Sequence, residues 1–160
     1  MALSSENLDP LLAVLAGHAN AADAEPVWPA ASWEELCRAG VPGWCIPTPH
    51  GGQGWSGPDL LLGYERLASA CLTTCFILSQ HDAACRRIRD SGQEALAREL
   101  LPPLARGDQF ATVGLSQLTT SRQHGQKPAL TARLEGADLI LNGFMPWVTG
   151  AAKADHFITG

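Results

Sequence analysis

Charge is scarce in this sequence: 17% of its 160 residues are Asp, Glu, Lys or Arg, against about 25% in an ordinary globular chain. So sparse a charged surface implies that other domains or subunits cover part of it. What charge there is runs acidic, with 16 Asp+Glu against 11 Lys+Arg and a net charge of −5. That balance argues against nucleic acid or an anionic membrane as the main partner. No stretch approaches the roughly 18 consecutive apolar residues of a membrane span. The first residues, Met1 to Glu6, have no basic segment leading into an apolar run, so no signal peptide is expected. Cysteine is present five times (Cys37, Cys45, Cys71, Cys75 and Cys85), an odd number too sparse for a disulfide scaffold. Reduced thiols and a cytoplasmic location follow as the expectation.

What is present divides into a helical part and a strand part. Leu11, Leu12, Leu15 and Ala16 recur at helical spacing between Leu8 and Ala19, with Asn20 as a stop signal. Ser32-Trp33-Glu34-Glu35 reads as a capping box opening a short helix that presents Trp33 and Leu36 and ends at Gly40. Pro58 and Asp59 mark the first turn of the next helix. From Leu60 to Arg89 only Gly63 interrupts an apolar run, and Thr73-Thr74 is the expected break into two helices. A further helix from Gln93 to Leu101 is expected to stop at Pro102-Pro103. The core is expected from Leu60–Leu72, Phe76–Ile88 and Leu96–Leu104.

After Gly107 the pattern becomes β. Phe110–Leu115, Ala129–Leu134, Asp138–Asn142 and His156–Thr159 read as strands, with a hairpin turn at Gly136-Ala137. So few strands seldom stand alone, which points to an incomplete β domain. The resulting fold class is α+β, an all-α helical domain over residues 1–109 followed by the start of a β-barrel domain over 110–160.

Several runs invite a chemical reading. Gly52-Gln53-Gly54-Trp55-Ser56-Gly57 spells a dinucleotide fingerprint, but Pro42, Pro47 and Pro49 precede it where that fold needs a central strand. A turn between helices fits better. Cys71, Cys75, His81 and Cys85 have no recognised zinc spacing, so core packing is expected and no metal site is assigned. His18, His50 and His124 lack a partner acid or nucleophile and read as surface or turn residues. Thr119 to Lys127 reads either as a surface loop or as an anion cradle built from hydroxyls, amides, Arg122 and Lys127. Trp147 and Thr149, two apart, would share one face of an alternating segment. An aromatic plane beside a hydroxyl suits a flat heteroaromatic ligand, and also suits a Trp capping a barrel end.

Motif order narrows the choice. Trp33-Glu-Glu-Leu, Gly40-Val-Pro-Gly-Trp-Cys-Ile-Pro, Gly51-Gly-Gln-Gly-Trp-Ser and Glu65-Arg-Leu-Ala come first. Leu101-Pro-Pro-Leu-Ala-Arg-Gly-Asp and Leu141-Asn-Gly-Phe-Met-Pro-Trp-Val-Thr-Gly-Ala follow. Together they resemble the acyl-CoA dehydrogenase family over nearly the whole chain. The resemblance implies an all-α domain, a middle β-barrel and a C-terminal helical domain, with FAD between the last two. It implies a homo-oligomeric parent that oxidises an acyl-CoA or similar thioester by passing a hydride to flavin. Trp147 would stack on the isoalloxazine and Thr149 would bond near N5. Leu115 and Ser116 would lie against the flavin ring, at the position of the family's Thr-Glu-Pro motif. Thr119-Thr120-Ser121-Arg122-Gln123 replaces the family's Gly-Ser-Asp, so Ser121 or Arg122 is expected to serve the FAD pyrophosphate instead. The family's catalytic glutamate lies in the C-terminal domain, so Glu65, Glu94 and Glu99 are not assigned that role and the chain alone is expected to be inactive. Alternatives are an oxidase or monooxygenase of the same superfamily, or a scaffold that has lost its cofactor.

Overall fold

In a computed structural model, residues 8–24, 26–119 and 128–160 are described. Five helices come first: α1 (Asp9–Ala24), α2 (Ala30–Arg38), α3 (Gly57–Ala70), α4 (Leu72–Asp90) and α5 (Glu94–Arg106). Then follow β1 (Ala111–Gly114), the one-turn α6 (Ser116–Thr119), β2 (Leu130–Glu135), β3 (Asp138–Gly143) and β4 (His156–Thr159). The α+β order read from sequence is the order observed, and all four strand signals fall on strands.

α4 is the central helix. Ile77, Leu78, Ala84, Cys85 and Ile88 on it are buried, together with Leu11 and Leu15 of α1, Trp33 and Leu36 of α2, Leu60 and Leu67 of α3, and Leu101 and Leu104 of α5. The core therefore takes in the three stretches expected and extends beyond them to α1, α2 and the Val41–Ile46 segment, where Trp44 is fully buried. Within the three stretches, Leu61, Leu62, Leu72 and Phe76 stand exposed on α3 and α4, so the apolar face is wider than the core it covers here.

Four element boundaries differ from the sequence expectation. α1 passes Asn20 and reaches Ala24, because Ala21, Ala22 and Ala24 carry the helix until the chain meets Pro26. α2 begins two residues before Ser32, behind Pro29 at φ −78°, with no side-chain cap. Ser32 is instead buried inside that helix, its Oγ 3.2 Å from Nδ1 of His18. The break between α3 and α4 falls at Cys71, which is extended at φ −153°. Thr73 and Thr74 lie in the first turn of α4, where the Thr74 hydroxyl meets Cys71 Sγ at 3.1 Å. α5 runs through Pro102-Pro103 to Arg106 and is capped by Gly107 at φ +75°. The two prolines remove amide donors that would pair with the Arg98 and Glu99 carbonyls, but both residues are exposed and water can replace them. Burial of Leu101, Leu104 and Ala105 sustains the helix across the gap.

The strands form two small sheets. β1 pairs in parallel with β4, Ala111 opposite His156 and Gly114 opposite Thr159. β2 and β3 make an antiparallel hairpin turning at Gly136-Ala137, as expected. The hairpin is exposed on both faces, Leu134 and Leu139 included. A two-stranded ribbon with apolar residues open to water lacks the packed face that stabilises a sheet. The β1–β4 sheet, by contrast, rests on α4. The amide of Ala111 donates to Nδ1 of His81 on α4 at 3.4 Å, and Asp155, just before β4, exchanges two bonds with Phe110: Phe110 N to Asp155 Oδ2 and Asp155 N to Phe110 O, both 2.8 Å.

Candidate functional site

The glycine loop is a packing element. Trp55 stacks on the fully buried Trp44 with centroids 4.3 Å apart and planes at 16°. The Gln53 side-chain amide donates to the Gly40 carbonyl at 2.9 Å. Nothing in this arrangement offers free amides around an open space for phosphate, so the turn reading holds. Cys71, Cys75, Cys85 and His81 are buried, with Cys85 Sγ 3.5 Å from His81 Nε2. Among the described residues no group of three or more His, Cys, Asp or Glu is placed to hold a metal ion.

His81, expected as a core residue, and Asp82, which no sequence signal marks, are the two most enclosed ionisable groups described. Burial lowers the His81 imidazole to about 4. Burial raises the Asp82 carboxyl to about 7, against the bond it receives from Tyr64 and the charge of Arg86. Both are consequences of removing a charged form from water. His81 is thereby held neutral, accepting at Nδ1, and forms the floor of an aromatic cluster. Phe110 stacks on it at 5.6 Å, and Trp33 meets both rings edge-on at 5.5 and 5.1 Å. Trp28 packs on Phe110 at 5.0 Å.

This cluster supports the segment that carries Trp147 and Thr149. From Phe144 to Gly150 the chain is not a strand, which corrects the alternation argument. Pro146 has no amide to give a ladder, and Trp147 adopts φ +55°, so the chain turns twice instead of extending. Trp147 nevertheless presents its indole almost entirely to solvent, 86% exposed. Thr149 lines a cleft of about 340 Å³ together with Thr73, Phe76 and Ile77 of α4, Trp28 and Lys153. Leu115 and Ser116 sit directly after β1, and the Ser116 hydroxyl donates to the Pro146 carbonyl. The structure thus brings Ser116, Trp147 and Thr149 into one neighbourhood at the end of β1. Ser121 and Arg122 lie outside the described residues, as does His124.

The donor set suits a planar heterocycle: an uncovered indole face, a hydroxyl in the adjoining cleft, and an apolar wall from α4. An isoalloxazine has such a shape, with an apolar ring end and a polar edge, so these residues fit a flavin. No helix of the described residues is long and apolar enough to cross a membrane.

Comparison with known proteins defines the class. The family model described as acyl-CoA dehydrogenase, N-terminal domain, matches residues 11–108, and the chain belongs to the acyl-CoA dehydrogenase family. It is 28% identical over 82% of its length to the short-chain specific acyl-CoA dehydrogenase of Clostridium acetobutylicum, covering 35% of that protein. It is 26% identical over 90% of its length to the mitochondrial isobutyryl-CoA dehydrogenase of Bos taurus, covering 34%. The solved butyryl-CoA dehydrogenase of Megasphaera elsdenii superposes on 97% of the chain with a TM-score of 0.71 at 24% identity, covering 40% of that structure. The chain thus spans about a third of the length of the curated relatives it matches. Its five helices and short strands are the N-terminal helical domain and part of the β domain of the acyl-CoA dehydrogenase fold.

Proposed function

We propose that this chain is the first part of an FAD-dependent acyl-CoA dehydrogenase, and that it builds one wall of the flavin and thioester site. Residues 1–109 form the helical domain and 110–160 begin the β-barrel domain. The observation that carries the reading is that Thr149 shares one cleft with Thr73, Phe76 and Ile77 and follows two residues after the exposed indole of Trp147. Bound FAD would accept the hydride taken from the β-carbon of an acyl-CoA or similar thioester.

Each residue of the chain has a separate task. Trp147 covers one face of the isoalloxazine and excludes water from it. Thr149 offers a hydroxyl and a backbone amide to the ring's polar edge near N5. Ser116 stands at the ring's edge with its hydroxyl bonded to the Pro146 carbonyl, and Leu115 packs beneath. Ser121 and Arg122 take the pyrophosphate, Arg122 by a charge-assisted bond. The base that removes the α-proton comes from the C-terminal helical domain, outside residues 1–160, so these residues alone do not catalyse the reaction. The same reading makes the complete protein a cytoplasmic homo-oligomer with reduced thiols.

The test is FAD retention by the full-length protein. Trp147→Ala removes a stacking face worth about 0.5–1.5 kcal/mol beyond its area, so FAD should bind several-fold to about tenfold more weakly. Arg122→Ala should weaken FAD and flatten the salt dependence of its binding. Colourless full-length protein that takes up no FAD, or FAD affinity indifferent to Trp147→Ala, would overturn the proposal.

A further inference from the structure

Trp147 and Thr149 stand on a segment without regular structure, and a segment of two successive turns does not fix its own geometry. Two of its backbone carbonyls are instead held from β1 and from the first residue of α6 that follows it. Thr112 lies in the middle of that strand and is completely buried, opposite Phe157 of β4. Its Oγ1 donates to the carbonyl oxygen of Thr149 at 2.8 Å. Four residues later, the hydroxyl of Ser116 donates to the carbonyl oxygen of Pro146. The two bonds grip the segment on either side of Trp147 and Val148.

A third constraint acts from behind. Gly150 follows Thr149 at φ +68°, and a Cβ there would stand 2.8 Å from Phe110 and 3.0 Å from Trp28. Both rings belong to the cluster that rests on His81, so the segment is pressed against a rigid floor. The hydroxyls of Thr112 and Ser116 supply the remaining restraint. A buried hydroxyl in a β-strand ordinarily costs desolvation with nothing gained, and here the cost is offset by one directed bond.

We infer that Thr112, with Ser116, is a positioning residue for the flavin: its hydroxyl sets the orientation of the Thr149 peptide and, through it, the bond offered to the flavin edge. The inference rests on the flavin reading above. Thr112 itself, sealed inside the strand, touches no ligand. Its influence passes through the Thr149 carbonyl, which fixes the plane of the Thr149–Gly150 peptide and with it the Cα from which the Thr149 side chain projects.

The experiment uses the full-length protein loaded with FAD and reads three quantities: FAD affinity, the flavin's visible spectrum and its reduction potential. Thr112→Val keeps the shape and removes the donor. It should weaken FAD about tenfold, the equivalent of one buried hydrogen bond, and alter the spectrum and potential. Thr112→Ser should restore all three, which a simple loss of strand stability would not do. Ser116→Ala, at a half-buried site, removes the other grip and should weaken FAD in the same direction. If the wild type holds FAD while Thr112→Val and Ser116→Ala bind it with unchanged affinity, spectrum and potential, the positioning role is refuted and the flavin reading stands. If Thr112→Val does not fold, Thr112→Ala, which removes the same donor from a residue that touches no ligand, decides: weaker FAD with a changed spectrum, both restored in Thr112→Ser, supports the grip, and unchanged FAD overturns it. A full-length wild type without FAD would defeat the flavin reading and this inference with it.

Discussion

The Tyr64 hydroxyl on α3 donates a 2.5 Å hydrogen bond to Oδ2 of Asp82 on α4, tying these two consecutive helices through a carboxyl group that is completely buried. Oδ1 of the same carboxyl has no hydrogen-bond partner. Cys45 Sγ donates to the Asp82 backbone carbonyl at 3.8 Å, and Arg86 Nε donates to it at 3.3 Å. Proton loss from Asp82 therefore creates a charge that one neutral hydroxyl and one distant guanidinium only partly offset.

That arrangement sets a pH dependence. Asp82 titrates near 7 in the folded chain against 3.8 as its ordinary value. Between those values the folded state holds a proton that the unfolded state has lost, so this group's contribution to stability falls as pH rises from about 4 to 7. His81 acts oppositely, at about 4 folded against 6.5. The unfolded state binds its proton across that window, so stability rises with pH from about 4 to 6.5. The two slopes offset each other. Asp82→Asn should remove the falling one, so the variant gains stability relative to wild type as pH rises from 4 to 7. Urea unfolding of both proteins across that range reads the difference, and parallel curves would refute it.

Tyr64→Phe leaves the carboxyl without its hydroxyl donor. The expected cost is about 1–3 kcal/mol, as for any buried group that loses its partner. The loss should be greater above pH 7, where Asp82 is ionised, than at pH 5. Chemical unfolding at the two pH values compares them.

Gly63 lies on α3 directly over the Trp44 ring. A Cβ there would stand 2.6 Å from Cζ3 of Trp44, which is fully buried and stacked on Trp55. Alanine in mid-helix ordinarily gains about 1 kcal/mol over glycine. Here overpacking, typically about 1–3 kcal/mol, should exceed that gain. Gly63→Ala should therefore lower the melting temperature, and a rise would show that Trp44 can move aside.

Asp155 fastens the strands to the helices by accepting the Phe110 amide at 2.8 Å. Asp155→Ala leaves that amide unpaired beside the aromatic cluster and should cost about 1–3 kcal/mol. Asp155→Asn keeps an acceptor oxygen and should cost less. Hydrogen exchange at the Phe110 amide separates them, with fast exchange in the alanine variant alone.

The fold was legible where chemistry is local. Short β-forming segments between turn residues mark the four strands, Gly136-Ala137 marks the hairpin, and leucine spacing marks the first helix. The boundaries that moved did so because packing outweighed a local signal. The buried face formed by Leu101 and Leu104 carries α5 past two prolines, and Ser32 is drawn into the interior beside His18 instead of capping α2. The site was legible in membership more than in geometry. Trp147 and Thr149 are close to the features a planar ligand needs, but the turn at Trp147 comes from a positive φ that alternation cannot reveal. Thr112 gave no signal at all, because its importance is a single bond to a residue 37 positions away.

The most direct measurement is anaerobic titration of the full-length, flavin-loaded protein with saturated acyl-CoA thioesters, beginning with butyryl-CoA and lengthening the chain. The account predicts that at least one thioester bleaches the oxidised flavin band, and that Thr149→Ala diminishes the response. Full-length protein that carries FAD and keeps its oxidised spectrum with every thioester in the series would contradict it.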